Sequence, residues 1–430
     1  MPTTSSRAPV AQPELERLWR DCAPRALAAL VRRYGDFDTA EDALQEALLA
    51  ASRQWPVDGV PANPTGWLLT VAGRRLIDQW RADQARTDRE RLLHLQTPPE
   101  DYSDVVESDD SLALLLLCCH PALPRPAQVA LTLRAIGGLS TAQIARAFLV
   151  PEATMAQRIS RAKARLRQID ARFVLPPARE LPGRLAAVAQ VLYLIFTEGH
   201  TSTAGTGLIE DCLTGEAIRL TRQLHRQLPE AGEISGLLAL MLLTDARRPA
   251  RTGAGGALVP LAEQDRGRWD RARIGEGVAL IEAALPSGPV GPYQLQAAIA
   301  AVHAEAARAE DTDWPQIELL YRMLADLTPG PVLTLNHAVA VAMVDGPAAG
   351  LAMLEPLLAD TGLRRSHRLP AVRAHLLELA GRGEEARADY ARAARLATSI
   401  PEQRYLQARA AGVGRPANRQ DQPPTPGEDA

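Results

Sequence analysis

The sequence predicts an all-α protein: two small helical domains joined by an acidic linker, then a long helical-repeat region. Three observations carry that prediction. Hydrophobic residues make up 46% of the 430-residue chain but aromatics only 4%, a mix that favours helix over strands, which want β-branched and aromatic side chains. Apolar residues recur at three- and four-residue intervals along most of the chain, the period of an amphipathic helix. The breaks between these runs are short and rich in Gly and Pro, the residues that punctuate helices.

Residues 1–12 are polar and read as frayed. The first domain, 12–83, is helical throughout, with breaks near Gly35 and at "WPVDGVPANPTG" (55–66). "DFDTAEDALQEALLAASRQW" (36–55) opens on an Asp38/Glu41 cap and buries Ala40, Leu44, Ala47, Leu48 and Ala51. Its other face carries Asp42, Gln45, Glu46 and Arg53. In "GWLLTVAGRRLIDQWRAD" (66–83), Leu69, Ala72, Leu76 and Trp80 repeat at helical spacing. Arg74, Asp78 and Arg81 form a second stripe, with Arg75 beside it. Cations beside Trp67 and Trp80 suit a melted-duplex surface, where phosphates need charge and extruded bases need a stacking partner; both indoles also suit a core. The linker, 84–110, ends in "PPEDYSDVVESDD", six acids without a base, which reads as solvated.

The second domain, 111–172, contains a helix-turn-helix. Ser140 with Gln143 three residues on is a capping-box start for a helix through Phe148. Pro151 suits the first position of the next helix, with Glu152 favourable near its N-terminus. Met155, Ile159, Ala162 and Leu166 fall on one narrow apolar stripe. Thr154, Gln157, Arg158, Arg161 and Arg165 lie on an arc about 120° away at helical spacing. One face packs while the other offers guanidinium, amide and hydroxyl groups. That is the chemistry of major-groove reading, with Arg forking to guanine or phosphate and Gln to adenine.

These three segments, in this order, resemble a bacterial extracytoplasmic-function (group 4) RNA polymerase sigma factor over roughly residues 12–170. "DTAEDALQEALLAA" and "GWLLTVAGRRLIDQWR" resemble region 2, and "LSTAQIARAFLVPEATMAQRISRAKARLR" resembles region 4. The resemblance implies that Asp42, Gln45 and Glu46 meet the β′ subunit of the polymerase core, with β as a further partner. It implies that Trp67, Arg74, Arg75, Asp78 and Arg81 serve the −10 element, and that Glu152, Thr154, Gln157, Arg158, Arg161 and Arg165 serve the −35 element of promoter DNA. Gly73–Arg74 and Ala156–Gln157 depart from residues common in the family, so base-level specificity does not carry over.

Residues 183–411 alternate helix and short turn. "PVLTLNHAVAVAMVDGPAAGLAMLEP" (331–356) and "PAVRAHLLELAGRGEEARADYARAARLA" (370–397) share a helix–turn–helix plan. Ala338 and Ala374 stand 36 residues apart, and Ala349 and Ala386 stand 37 apart. The last unit resembles a tetratricopeptide repeat, and the whole chain resembles sigma factors whose long C-terminal extension regulates them. A regulatory protein or ligand is then a further partner. Glu198 and His200, at an expected Gly turn, would be the acid/base or metal pair of an enzyme, but nothing of recognisable spacing joins them. A one-component DNA-binding regulator is the other alternative. Residues 242–277 form a charged, Gly-containing excursion, and 412–430 read as disordered.

The remaining composition sets limits. A formal charge of −3 argues against a wholesale nucleic-acid coat. Cys22, Cys118, Cys119 and Cys212 are too scattered for a disulfide framework. Adjacent Cys118 and Cys119 point in different directions, so with His120 they serve one metal ion poorly. No cofactor, catalytic residue or metal is expected. With no secretory pattern and no apolar run of membrane length, the protein is expected in the cytoplasm. Basic charge is nearly all Arg, and Lys163 is the only lysine.

Overall fold

The structure, a computed structural model, describes residues 12–84, 110–148, 150–201, 207–253, 256–360 and 363–413. Among the described residues the regular elements are helices, apart from one antiparallel bridge between Thr252 and Leu258. No described helix is long and apolar enough to cross a membrane. The chain divides into two compact units, one comprising Met1–His200 with Thr206–Gln227, the other Thr201–Gly205 with Leu228–Ala430. The expected linker 84–110 falls outside the described residues except for Gln84 and Asp110, and the tail beyond Val413 falls outside them entirely.

The first unit begins with a three-helix bundle, α1 (Gln12–Tyr34), α2 (Phe37–Asp58) and α3 (Pro64–Gln84). Gly35, at φ +79°, turns the chain between α1 and α2, a conformation that costs glycine nothing. The N-cap of α2 is then Asp36, not the expected Asp38/Glu41 pair. Asp36 is extended and its carboxylate accepts from the backbone N–H groups of Asp38 (2.9 Å) and Thr39 (3.5 Å). Asp38 and Glu41 are thereby free to act elsewhere. Ala40, Leu44, Ala47 and Ala51 are buried as expected, whereas Leu48 is half-buried.

After these come α4 (Ser111–Cys118), α5 (Arg125–Ala135), α6 (Thr141–Ala147) and α7 (Glu152–Gln168). Two further helices, α8 (Leu181–Thr201) and α9 (Gly207–Gln227), belong to the same compact unit.

Among the described residues, the second unit stacks nine α-helices: α10 (Gly232–Asp245), α11 (Arg271–Ala284), α12 (Pro292–Glu305), α13 (Trp314–Leu327), α14 (Pro331–Asp345), α15 (Pro347–Leu354), α16 (Arg368–Leu379), α17 (Gly383–Leu396) and α18 (Ile400–Gly412). Most pack chiefly on their neighbours in sequence, but α10 packs most extensively on α12, two helices on. The excursion between α10 and α11 is shorter than expected and ordered where described. Buried Ala250, Arg266 and Trp269 anchor it, and the buried Asp245 carboxylate pairs with Arg248 and Arg273.

The two expected helical pairs are present, with left-handed glycines at their turns, Gly346 (φ +92°) and Gly381 (φ +75°). The small residue at the first pair's contact is Gly350, not Ala349. A Cβ at Gly350 would lie 2.5 Å from the Ala338 carbonyl oxygen and 2.7 Å from Ala342 Cβ. Gly350 and Ala386 stand 36 residues apart, the same interval as Ala338 and Ala374. Gly350→Ala therefore lowers the stability of the second unit by about 1–3 kcal/mol through overpacking, measurable as a shift in thermal unfolding followed by circular dichroism. An unchanged midpoint would show that these helices slide apart freely.

Candidate nucleic-acid interface

Residues 139–168 fold as the helix-turn-helix. The capping box at Ser140 is complete: the hydroxyl accepts from Gln143 N–H (3.2 Å) and the Gln143 side chain accepts from Ser140 N–H (2.8 Å). Pro151 is the N-cap of α7 rather than its first residue, because its ψ of 142° is extended. Met155, Ile159, Ala162 and Leu166 are buried. Glu152, Thr154, Gln157, Arg161 and Arg165 are exposed, and Arg158 is half-buried. No carboxylate pairs with Arg158, Arg161 or Arg165 among the described residues, while Arg165 donates to Gln168 (2.8 Å). Thr154, Gln157, Arg158, Arg161 and Arg165 share one face, with their cations uncommitted to acids, and form a surface suited to base edges and phosphates, whereas Glu152 stands off that arc on the first turn.

The opposite edge of α7 carries a dense, partly buried electrostatic cluster. Lys163 lies about 180° round from the centre of the reading arc at helical spacing. Its ammonium contacts Glu41 Oε2 (2.6 Å), Asp38 Oδ1 (3.0 Å) and Asp42 Oδ1 (3.0 Å), all on the first turns of α2. Arg167 pairs with Asp38 (2.7 Å), and Arg134 of α5 pairs with Glu41 (3.1 Å). The side chains of Lys163 and Glu41 are only 9% and 3% exposed. Burial works to lower the Lys163 pKa, but the carboxylates outweigh it and hold the amine above its ordinary range. Lys163 stays a cation, and its loss would leave buried acids short of a partner.

Sequence reasoning passed over Asp38, Glu41, Arg134, Lys163 and Arg167 as a site. One signal was present: the sole lysine sits beside the apolar stripe, where a solvated charge is out of place.

The remaining candidate residues form two groups. Asp42 and Glu46 are exposed and Gln45 is half-buried on α2, so Asp42 serves the Lys163 cluster while leaving much of its surface open. On α3, Arg74, Arg75 and Asp78 are exposed, and Arg75 makes a surface pair with Glu46 (3.3 Å), a contact worth about 0–1 kcal/mol. Trp67 is half-buried, edge-on to the buried Trp55 at 5.5 Å, and Trp19 also meets Trp55, tilted, at 6.3 Å. The side chains of Trp80 and Arg81 lie outside the described residues.

Helices α8 and α9 brace this region from behind. Arg184 donates to the Leu116 carbonyl (2.7 Å). Arg125 donates to the Ala187 carbonyl (3.2 Å) and the Gln190 amide oxygen (2.5 Å). Arg219 of α9 reaches the Ile136 carbonyl (3.4 Å). Glu198 and His200 are not at a turn: α8 continues through Thr201, and the imidazole of His200 stacks on Phe196 at 5.3 Å. Burial raises the Glu198 carboxyl pKa. Glu198 shares a cavity of about 350 Å³ with Arg125 and Arg158, so α8 borders the reading helix.

Cys118 and Cys119 are fully buried, with thiols pushed up by burial, Cys119 to about 12. No group of three metal-ligating side chains occurs among the described residues.

Comparison with known proteins matches three family models. Residues 18–87 match Sigma-70 region 2, residues 113–166 match Sigma-70, region 4, and residues 184–285 match a family of unknown function (DUF6596). The chain is 45% identical over 400 residues to an uncharacterized protein of Rhizobium meliloti (strain 1021), covering 90% of this chain and 94% of the relative. It is 35% identical over 152 residues to the ECF RNA polymerase sigma factor SigL of Mycobacterium tuberculosis, covering 33% of this chain and 82% of the relative. No solved structure matches the chain.

The Lys163 cluster gives a direct expectation. Lys163→Met lowers the stability of the first unit by about 1–3 kcal/mol, since Arg134 and Arg167 still serve two of the acids. Arg161→Ala, on the open face of the same helix, stays within about 0.5 kcal/mol of the parent. Denaturant unfolding followed by circular dichroism distinguishes the two, and equal effects would contradict the assignment of faces.

Proposed function

Because this chain belongs to the ECF RNA polymerase sigma factors, we propose that its residue roles follow the two faces of α7. The protein is a transcription initiation factor that works with RNA polymerase core and promoter DNA; bond-making belongs to the polymerase and not to this chain. Glu152, Thr154, Gln157, Arg158, Arg161 and Arg165 read the −35 element. Arg74, Arg75, Asp78 and Arg81 hold the −10 strand, with Trp67 at the edge of that surface. Asp42, Gln45 and Glu46 meet the β′ subunit, and region 4 meets β. The place of action is the cytoplasm, where polymerase and promoter are.

The observation that carries this reading is the separation of roles on α7. Its outward arc is exposed apart from half-buried Arg158 and, among the described residues, free of acid partners, while its inner edge is locked to α2 by Lys163. That lock also supports a resting form. Elements named −35 and −10 are centred roughly 25 base pairs apart, about 85 Å of duplex at 3.4 Å per pair. Regions 2 and 4 held together by an ammonium 2.6 Å from a carboxylate cannot span that length. In this reading the α2–α7 contact opens when core polymerase takes the acidic face of α2. The C-terminal helices regulate that opening, a role supported by the bracing of region 4 by α8 and α9.

Reconstitution with core polymerase and a promoter fragment tests the reading through permanganate reactivity of the melted strand. The Gln45→Ala/Glu46→Ala double variant weakens core binding about tenfold or more, as expected for two interface contacts, while unfolding as the parent does. Arg161→Ala lowers promoter occupancy without lowering core binding. A double variant that binds core as tightly as the parent would sink the α2 assignment. Truncation after Gln227, which retains the whole first unit, changes transcript yield; an unchanged yield would remove the regulatory role of the second unit.

A further inference from the structure

The second unit contains a cavity of about 570 Å³, within the usual size range of small-molecule sites. Its walls include Trp314 and Tyr321 of α13, Met343 of α14 and Leu379 of α16. Met343 and Leu379 are large apolar side chains left 44% and 47% exposed, so apolar surface continues from the cavity to its mouth. A few polar groups converge on the same space: Arg266, His303, Asn336 and His375. Apolar walls with sparse, fixed polar groups are the composition of a ligand pocket rather than a packing defect.

Charge at one wall is positive and held in place. Arg266 is buried, its Nη1 donates to the carbonyls of His303 (2.6 Å) and Ala306 (2.7 Å), and its guanidinium lies 4.7 Å from the Trp269 ring centre. Those bonds fix the guanidinium while using one of its three nitrogens. Arg247 is half-buried within electrostatic reach of Arg266 and His303. No carboxylate pairs with Arg247 among the described residues. Burial first, then Arg251 and Arg266, pull Arg247 down to about 10. His303 falls to about 4 through burial and the two arginines, so its imidazole is neutral at physiological pH. The acids that act on Arg266, Glu310 and Asp311, are both engaged by Arg308 at 3.9 and 2.8 Å, and Glu378 and Glu263, which act on the lining His375 and Tyr405, are engaged by Arg409. A fixed guanidinium in the wall, with Arg247 within electrostatic reach and the neighbouring acids already paired with other arginines, suits an anion that brings its own apolar body.

We propose that this cavity binds a small organic carboxylate with an aromatic or bulky apolar body, its carboxylate directed to the Arg266 and Arg247 side and its body between Trp314, Tyr321 and Met343. Its occupancy stands apart from the sigma-factor assignment. Its use as an input to transcription rests on the regulatory role of the second unit proposed above.

Titration calorimetry on the full chain tests it with two acid/amide pairs: indole-3-acetate with indole-3-acetamide, and 1-naphthoate with 1-naphthamide. At least one acid binds saturably at one site below about 1 mM, and its amide binds about tenfold more weakly. Met343→Trp, which fills the mouth from an exposed position, weakens the acid about tenfold or more. Arg247→Gln weakens the acid and leaves the amide unchanged. No saturable binding by either acid, equal affinity of acid and amide, or binding indifferent to Met343→Trp each overturns the proposal. The same acid is then added to the reconstituted transcription assay. Binding with altered transcript yield supports both site and input, whereas binding with unaltered yield keeps the site and removes the input.

Discussion

An ammonium group enclosed by three carboxylates joins the region 2 bundle to the region 4 helix in this chain, and much else follows from it. Lys163 reaches Asp38, Glu41 and Asp42 at once because all three lie within the first turns of α2. They are available because Asp36, not Asp38, caps that helix. Two arginines close the cluster from α5 and from the end of α7. The reading arc of α7 faces outward because its apolar stripe packs on α5 and α6 and its opposite edge is committed to α2. Buried ion pairs contribute little net stability compared with apolar packing, yet they specify one arrangement among several. Here the arrangement specified is α7 held against the first turns of α2.

Much of this was legible in the sequence. The capping box at Ser140, the apolar stripe from Met155 to Leu166 and the glycine turns at Gly346 and Gly381 all follow from local rules that need no tertiary information. Other features depend on what a segment meets in space. Asp36 outcompetes Asp38 as a cap only because Gly35 turns the chain just before it. Glu198 and His200 continue a helix through a glycine that local propensity reads as a break, since buried Ile195 and Phe196 hold that helix in place. The Lys163 cluster joins residues about 120 positions apart in sequence, beyond the reach of any periodicity argument.

The second unit shows the complementary case, in which the repeat interval was visible but its physical cause was misplaced by one residue. Gly350 allows the close approach, and Ala349 beside it does not face the contact as closely. Helices stacked in this way leave space between successive pairs, and the cavity lined by α13, α14 and α16 is such a space. The loop between α10 and α11 reaches it through Arg266, which binds carbonyls at the end of α12 and just beyond it. A connection that composition alone would assign to solvent thus contributes the cavity's fixed charge.

The basic side chains of this protein are arginines with a single exception, and the exception is the residue at the centre of the α2–α7 contact. Lys163 is therefore the only side-chain primary amine in the chain. In the α2–α7 contact it is almost shielded from solvent and held protonated, so it is a poor nucleophile. Separation of the two helices would return it to water and remove the carboxylates that suppress its free-base form. Side-chain acylation thus reads the α2–α7 contact directly: Lys163 is masked while that contact holds, and the opening proposed above would unmask it.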